Sequence, residues 1–162
     1  MTRLIAALIA IVAANLAAPA AAQESCAAAR GAAIAAPAWR STAEEAGLDE
    51  IDAFVGVIAA LEAAGRPPGC YLTKSEARRA GWRPGRSLWA TSPGAAIGGG
   101  VFQNREGRLS ACADRRCRIL DLDYAGQRSR GPKRLIYRVD GDRVRAWITP
   151  DHYESFAAVH IP

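Results

Sequence analysis

The apolar positions of this chain fall into two regimes, helical first and strand-like after. Ile51, Phe54, Val55, Ile58 and Leu61 recur at the spacing of one helix face. Asp49, Glu50 and Asp52 stand in the first turn, where the helix dipole favours anions, and Gly65 followed by Pro67-Pro68 stops the run. The pattern predicts an amphipathic helix beginning near Leu48-Asp49, whose apolar face must dock on another element. A shorter helix is predicted from Lys74 to Ala80, with Thr73 as N-cap, Glu76 as its capping-box partner and Gly81 as the stop. From Trp82 to Gly100 glycine and proline predict loops, and Gly98-Gly99-Gly100 reads as a turn ahead of Val101. Beyond it, Val101-Phe102, Arg118–Tyr124, Arg134–Val139, Val144–Thr149 and Phe156–His160 are short runs rich in β-branched and aromatic residues. Asp140-Gly141 marks a hairpin turn. The order predicts an α+β domain, with N-terminal helices packed on an antiparallel β-sheet.

The segment ahead of these elements changes the compartment. Arg3, the apolar run Leu4–Val12 and Ala20-Ala21-Ala22 before Gln23 follow the pattern of a secretory signal peptide, expected at residues 1–22. The apolar run is short for a membrane span and no second one follows, so no membrane association is expected after cleavage. Residues 23–47 read as an Ala-rich extension with room for a short helical turn, and 48–162 as the folded domain. A secreted or periplasmic location suits Cys26, Cys70, Cys112 and Cys117, an even set read as disulfides. Three pairings are open; a short Cys112–Cys117 loop would leave Cys26–Cys70 to tie the extension down. Structural zinc is disfavoured, because the spacing is not CxxC and the histidines lie far away.

Charge narrows the substrate. The chain carries 21 Lys+Arg against 16 Asp+Glu, a net charge of +5, and arginines crowd between Arg105 and Arg145. Such a surface attracts polyanions, although a solubilising surface would look the same. The two histidines are His152 and His160. His152, between Asp151 and Tyr153 in a turn-like segment, has what an acid acting on a phosphodiester needs: a titratable ring near fixed cations. Arg130 and Arg134 offer planar donor forks that match phosphate oxygens. No GxxxxGK[ST] cradle and no acidic cluster for two metals is present, which favours chemistry without metal or cofactor. Phe102-Gln103-Asn104-Arg105-Glu106-Gly107 mixes amide, guanidinium and carboxylate, a loop able to read a base edge and cover its face.

Taken in order, several segments resemble the barnase-like, guanyl-specific microbial ribonucleases. They are Tyr71-Leu72-Thr73-Lys74-Ser75-Glu76-Ala77, Gly81-Trp82, Ile97-Gly98-Gly99, Val101 through Leu109, and Asp151-His152-Tyr153-Glu154-Ser155-Phe156. Arg128 through Ile136 resembles the arginine segment of the streptomycete members. The resemblance implies cleavage of single-stranded RNA after guanine through a 2′,3′-cyclic phosphate, without a metal. It implies His152 as general acid and Arg130, Arg134 and Lys74 as the hold on the scissile phosphate. Phe102, Gln103, Asn104, Arg105 and Glu106 match the guanine site, and Tyr153 lines it. An acidic inhibitor of the barstar kind would be a fitting partner for a monomeric enzyme of this sort.

One position departs from the pattern. Counting forward from Asn104 or back from Arg130 puts the family's general-base glutamate at Ile119, which cannot accept a proton. Strand alternation places Asp121 on the same face, the nearest substitute, but pairing with Arg130 and Arg134 is expected to depress its pKa. The expectation is a ribonuclease of reduced activity. The alternatives are an exported binding protein that holds RNA or an inhibitor without turnover, and a basic structural domain.

Overall fold

A computed structural model describes residues 37–161. The helices are α1 (Pro37–Glu45), α2 (Ile51–Ala64) and α3 (Lys74–Arg79). The strands are β1 (Tyr71–Leu72), β2 (Ala96–Val101), β3 (Arg118–Asp121), β4 (Arg134–Asp140), β5 (Arg143–Thr149) and β6 (Ala157–Val159). They form one sheet in sequence order; β1 runs parallel to β2 and the remaining neighbours are antiparallel. The architecture is the α+β arrangement expected from the sequence. The leader and Cys26, and with it the Cys26–Cys70 pairing, lie outside the described residues; Cys70 itself is buried and disulfide-bonded.

The main core forms because α2 and one sheet face are apolar at matching positions. Phe54, Val55, Val57, Ile58 and Leu61 pack against Leu120, Leu135, Tyr137, Ala146, Ile148 and Val159. Each fully buried aliphatic side chain contributes about 1.5–3 kcal/mol. The start of α2 is satisfied from far away in sequence. Glu50 supplies no side-chain cap; instead the Asp123 carboxylate accepts the backbone N–H groups of Asp49 (2.9 Å) and Glu50 (3.0 Å). Lys133 Nζ bridges Asp123 (2.7 Å) and Asp49 (2.9 Å), tying the loop ahead of β4 to the helix. Gly65, left-handed at φ 64°, closes the helix by donating to Leu61.

Three elements depart from the sequence reading. Part of the segment read as an extension is α1, nine residues long, with Trp39 and Ala43 buried in the main core and Trp39 Nε1 donating to the His160 carbonyl at 2.8 Å. The glycines at 98–100 belong to β2 rather than to a turn. A Cβ on Gly98 would stand 2.4 Å from Leu120 and 2.5 Å from Tyr71, so the strand can lie there because the residue has no side chain. Gly99, at φ +79°, sits where the β2–β3 register shifts, a bulge. Strand β3 stops at Asp121, short of Tyr124, because the chain turns at Asp123 (φ 54°) to reach α2. The capping box of α3 is present: Thr73 Oγ1 accepts from Glu76 N at 3.2 Å, and Glu76 Oε2 accepts from Thr73 N at 2.8 Å. No helix among the described residues is long and apolar enough to cross a membrane.

Replacing Gly98 by Ala forces Leu120 or Tyr71 aside. The expected cost is about 1–3 kcal/mol, read as a lowered urea midpoint with an unchanged slope.

Candidate active site

The sheet face turned away from α2 carries two cross-strand rows of opposite character. Pairing across β3, β4 and β5 aligns Asp121, Arg134 and Thr149 in one, and Ile119, Ile136 and Trp147 in the other. Both follow from strand alternation, which sends every second residue to this face.

The polar row anchors the cations. Asp121 is 2% exposed and ion-paired to Arg134 Nε at 3.0 Å and to Arg130 Nη1 at 3.3 Å. Its pKa is nevertheless raised: burial disfavours the carboxylate more than Arg134, Arg130 and Lys74 favour it. The depression expected from pairing alone is therefore corrected, because pairing inside the protein comes with the loss of water. Arg134, 3% exposed, also donates from Nη1 to the carbonyls of Lys133 (2.7 Å) and Arg130 (3.2 Å), which fixes its guanidinium. Arg130 is more open, with 26% of its side chain exposed. Lys74, the first residue of α3, is an exposed cation. Burial of its ammonium lowers its pKa, and Arg130, Arg78 and Arg134 push the same way against Asp121.

At the end of the row, Thr149 builds the histidine loop. Its hydroxyl donates to Asp151 Oδ1 (2.9 Å) and accepts from Tyr153 N (2.8 Å). Asp151 also accepts the backbone N–H groups of Glu154 and Ser155, both at 3.0 Å, and the Ser155 hydroxyl. The Ser155 hydroxyl and N–H lead in pulling the Asp151 pKa down to about 2. These bonds hold His152 and Tyr153 at φ 59° and 80°, a left-handed conformation that L side chains rarely adopt. The exposed His152 ring lies 4.7 Å, centroid to centroid, from that of Tyr153.

The apolar row occupies the position where the resemblance led to the expectation of a general base. Ile119, half-buried, packs into a cluster with Phe102, Ile136, Trp147, Tyr153 and Phe156. Above it runs the loop read as base-recognising. Asn104 (φ 44°) closes this loop on itself, Nδ2 donating to the Leu109 carbonyl (2.8 Å) and Oδ1 accepting from Leu109 N (3.2 Å). Gln103, Arg105 and Glu106 point outward and are exposed. Phe102 does not: its ring is 6% exposed, stacked near Tyr153 (5.6 Å) and Phe156 (6.3 Å), and its N–H donates to Cys117. Phe102 therefore supports the loop from beneath. The Cys112–Cys117 disulfide, fully buried, lies in the same cluster. A cleft of about 440 Å³ is lined by Gln103, Asn104, Arg105, Gly107, Ala113 and Arg115.

Two contributors escaped the sequence reading. Arg108 pairs with Glu154 (2.5 Å) and donates to the Tyr153 carbonyl (3.2 Å), strapping the loop that Asn104 closes to the histidine loop. Asp151 is the staple described above; its Asp-x-x-x-Ser spacing to Ser155 was the available signal. Among the described residues, no three His, Cys, Asp or Glu side chains gather as metal ligands.

A small α+β domain whose sheet face bears immobilised arginines, an exposed histidine and a polar loop defines a protein built to meet a nucleic-acid strand. The ribonuclease family matches residues 64–160. A ribonuclease of Heyndrickxia coagulans is 39% identical over 113 residues, covering 67% of this chain and 97% of that protein. Ribonucleases of Bacillus intermedius and Bacillus pumilus are each 38% identical over 113 residues, covering 67% of this chain and 65% of theirs, just under two thirds. The chain belongs to the ribonuclease family.

Two measurements test the electrostatics. Asp121→Ala leaves Arg134 buried without its carboxylate and should cost about 3–5 kcal/mol in urea unfolding; a cost below 1 kcal/mol would contradict the anchoring role. Asp140 is held at about 2, first by Arg138 and then by Arg145, as Asp151 is by its own loop. Both lie below the ordinary 3.8, so the stability they add is present above about pH 3.8 and lost as pH falls toward 2. Asp140→Asn should flatten the fall of Tm across that window.

Proposed function

We propose that this protein is an exported endoribonuclease that cleaves single-stranded RNA after guanine by transesterification. The observation that carries the reading is the stapled loop presenting His152 at the end of the Asp121–Arg134–Thr149 row, in a member of the ribonuclease family. The guanosine 2′-oxygen attacks phosphorus, the bond to the 5′-oxygen breaks, and His152 gives its proton to that departing oxygen. Arg130 and Lys74 neutralise the charge growing on the phosphoryl oxygens, and Arg134 adds its fixed charge from behind. The exposed groups of residues 103–106 take the guanine, with Arg105 over its face and Glu106 accepting from its ring and amino N–H groups. Tyr153 lines the site beside the acid.

The proton of the 2′-hydroxyl passes to water in this reading. Ile119 cannot take it, and Asp121 is buried and occupied by two arginines. One general base is worth roughly 10²–10⁴-fold, whereas whole enzymes accelerate by about 10⁶-fold or more, so turnover survives at a reduced rate. Export follows from the leader pattern and suits the disulfides. A monomer is expected, and an acidic inhibitor fits the cationic face.

A fluorogenic oligoribonucleotide with a single guanine tests this. His152→Ala should lower kcat/KM by about 10²–10⁴-fold, Ile119→Glu should raise it, and cleavage should map to the guanine. The pH profile of the unaltered protein should lack the acidic limb of a carboxylate base. Binding without turnover above the His152→Ala blank would instead make this an RNA- or inhibitor-holding protein of the same fold.

A further inference from the structure

The 102–109 loop, which takes the guanine in the reading above, hangs by both ends from one pair of cysteines. At its start, the Phe102 N–H donates to the Cys117 carbonyl at 2.9 Å. At its end, the Leu109 carbonyl accepts the Cys112 N–H at 2.9 Å, and the same carbonyl takes Asn104 Nδ2 at 2.8 Å. Cys112 and Cys117 are joined by a disulfide, five residues apart in sequence. Two backbone attachments that would otherwise be independent are thereby held at one separation. Both cysteines are fully buried in the cluster of Phe102, Leu109 and Ile136. The short loop they close is bolted to the sheet as well. Arg138, buried on β4, donates from Nη1 to the Ala111 carbonyl at 2.7 Å and pairs with Asp114 at 3.2 Å. Between the cysteines, Arg115 stands at φ 58°, a conformation that an open chain would leave. The cleft of about 440 Å³ takes its lining from both loops: Gln103, Asn104, Arg105 and Gly107 from one, Ala113 and Arg115 from the other.

A cross-link over so short a loop is poorly placed to act on stability alone. The entropy that a bridge removes from the unfolded chain grows with the length of loop it closes, so one between distant segments would stabilise the fold more. Its local effect is large instead. Backbone amides recognise a base only at fixed separations and directions, and a small misplacement forfeits hydrogen bonds that the base has given up water to make. A loop whose ends can part loses that fit first. The His152 loop is held by Thr149 and Asp151, through bonds in which the cysteines take no part.

We propose that the Cys112–Cys117 disulfide is a positioning element for base recognition: it fixes the separation of the two ends of the 102–109 loop and thereby sets how strongly the enzyme prefers guanine. The inference rests on the ribonuclease reading above and deepens it, since it concerns the base site of that enzyme. Its effect falls on KM for guanine substrates. Cleavage after another base, which gains little from the loop, is indifferent to the bridge.

The test measures kcat and KM for the dinucleotides GpU and ApU, whose ratio of kcat/KM is the preference. Cys112→Ala combined with Cys117→Val opens the bridge and keeps both buried positions apolar. It should raise KM for GpU about tenfold with kcat kept, leave ApU unchanged, and so lower the ratio by the same factor. Val57→Ala, in the α2 core on the other side of the sheet, loses stability without touching the loop and should leave the ratio where it was. A second route spares both cysteines of the bridge. In a Cys26→Ala, Cys70→Ala parent the only cysteines left are Cys112 and Cys117. Dithiothreitol then reduces their bridge to two thiols, itself closing to a cyclic disulfide, and should lower the ratio to the same extent. A ratio unmoved by opening the bridge, or GpU and ApU falling together, overturns the proposal, as does loss of the fold in both opened forms. Failure of the ribonuclease reading is separate: the unaltered protein then cleaves neither substrate. In that case the ratio of Kd values for guanosine and adenosine 3′-monophosphates decides in the same way. An unaltered protein that treats the two bases alike, in cleavage or in binding, also overturns the proposal.

Discussion

A carboxylate sunk in a sheet face must be surrounded by cations or give up its charge, and Asp121 organises this molecule by that requirement. Its two arginines come from the β3–β4 loop and from the start of β4, so one buried group fixes both the strand pairing and the loop between. Desolvation penalises the charge strongly enough to raise the pKa despite both partners. A hydrophobic residue here would pack more comfortably, but Arg134 would then be buried without a counter-charge. The arrangement therefore trades stability for cations held at fixed positions on the sheet face.

The neighbouring row shows the reverse choice. With Ile119 between Gly100 and Ile136, this stretch of the face has become an extension of the apolar cluster that supports Phe102 and Tyr153. An isoleucine at that place is structurally coherent, since it adds packing beneath both the Phe102 and the Tyr153 loops. At this position the chain has packing where the resemblance led to the expectation of a carboxylate. The histidine loop is stabilised by different means, with Thr149 and Asp151 holding residues in a conformation they would otherwise leave.

Local signals were legible in the sequence wherever the cause was local. The face from Phe54 to Leu61, the Thr73–Glu76 box and the Asp140-Gly141 turn each depend on residues a few positions apart. Helix α1 was hidden because alanines dilute periodicity, and its meaning lies in Trp39 reaching His160, 121 residues away. Gly98 reads as punctuation until Leu120 and Tyr71 are seen to fill the space its side chain would need. The pairing of Asp121 with Arg130 and Arg134 was readable from the motif positions. The sign of the Asp121 shift was not, since it depends on how deeply the tertiary structure buries the group. Arg108 was invisible for a related reason: its partners Tyr153 and Glu154 lie in a distant loop whose approach no pattern announces.

That strap couples two exposed loops. The loop that ends at Leu109 and the loop that carries His152 are joined through Arg108 into one mechanical piece, so disturbance of either is felt by the other, reciprocally. An exposed ion pair transmits at most about 1 kcal/mol, roughly fivefold. In the ribonuclease proposed above, discrimination between bases would therefore divide, the greater share residing in the fit of the base itself and a small remainder in how well the proton donor is aimed once the base is seated.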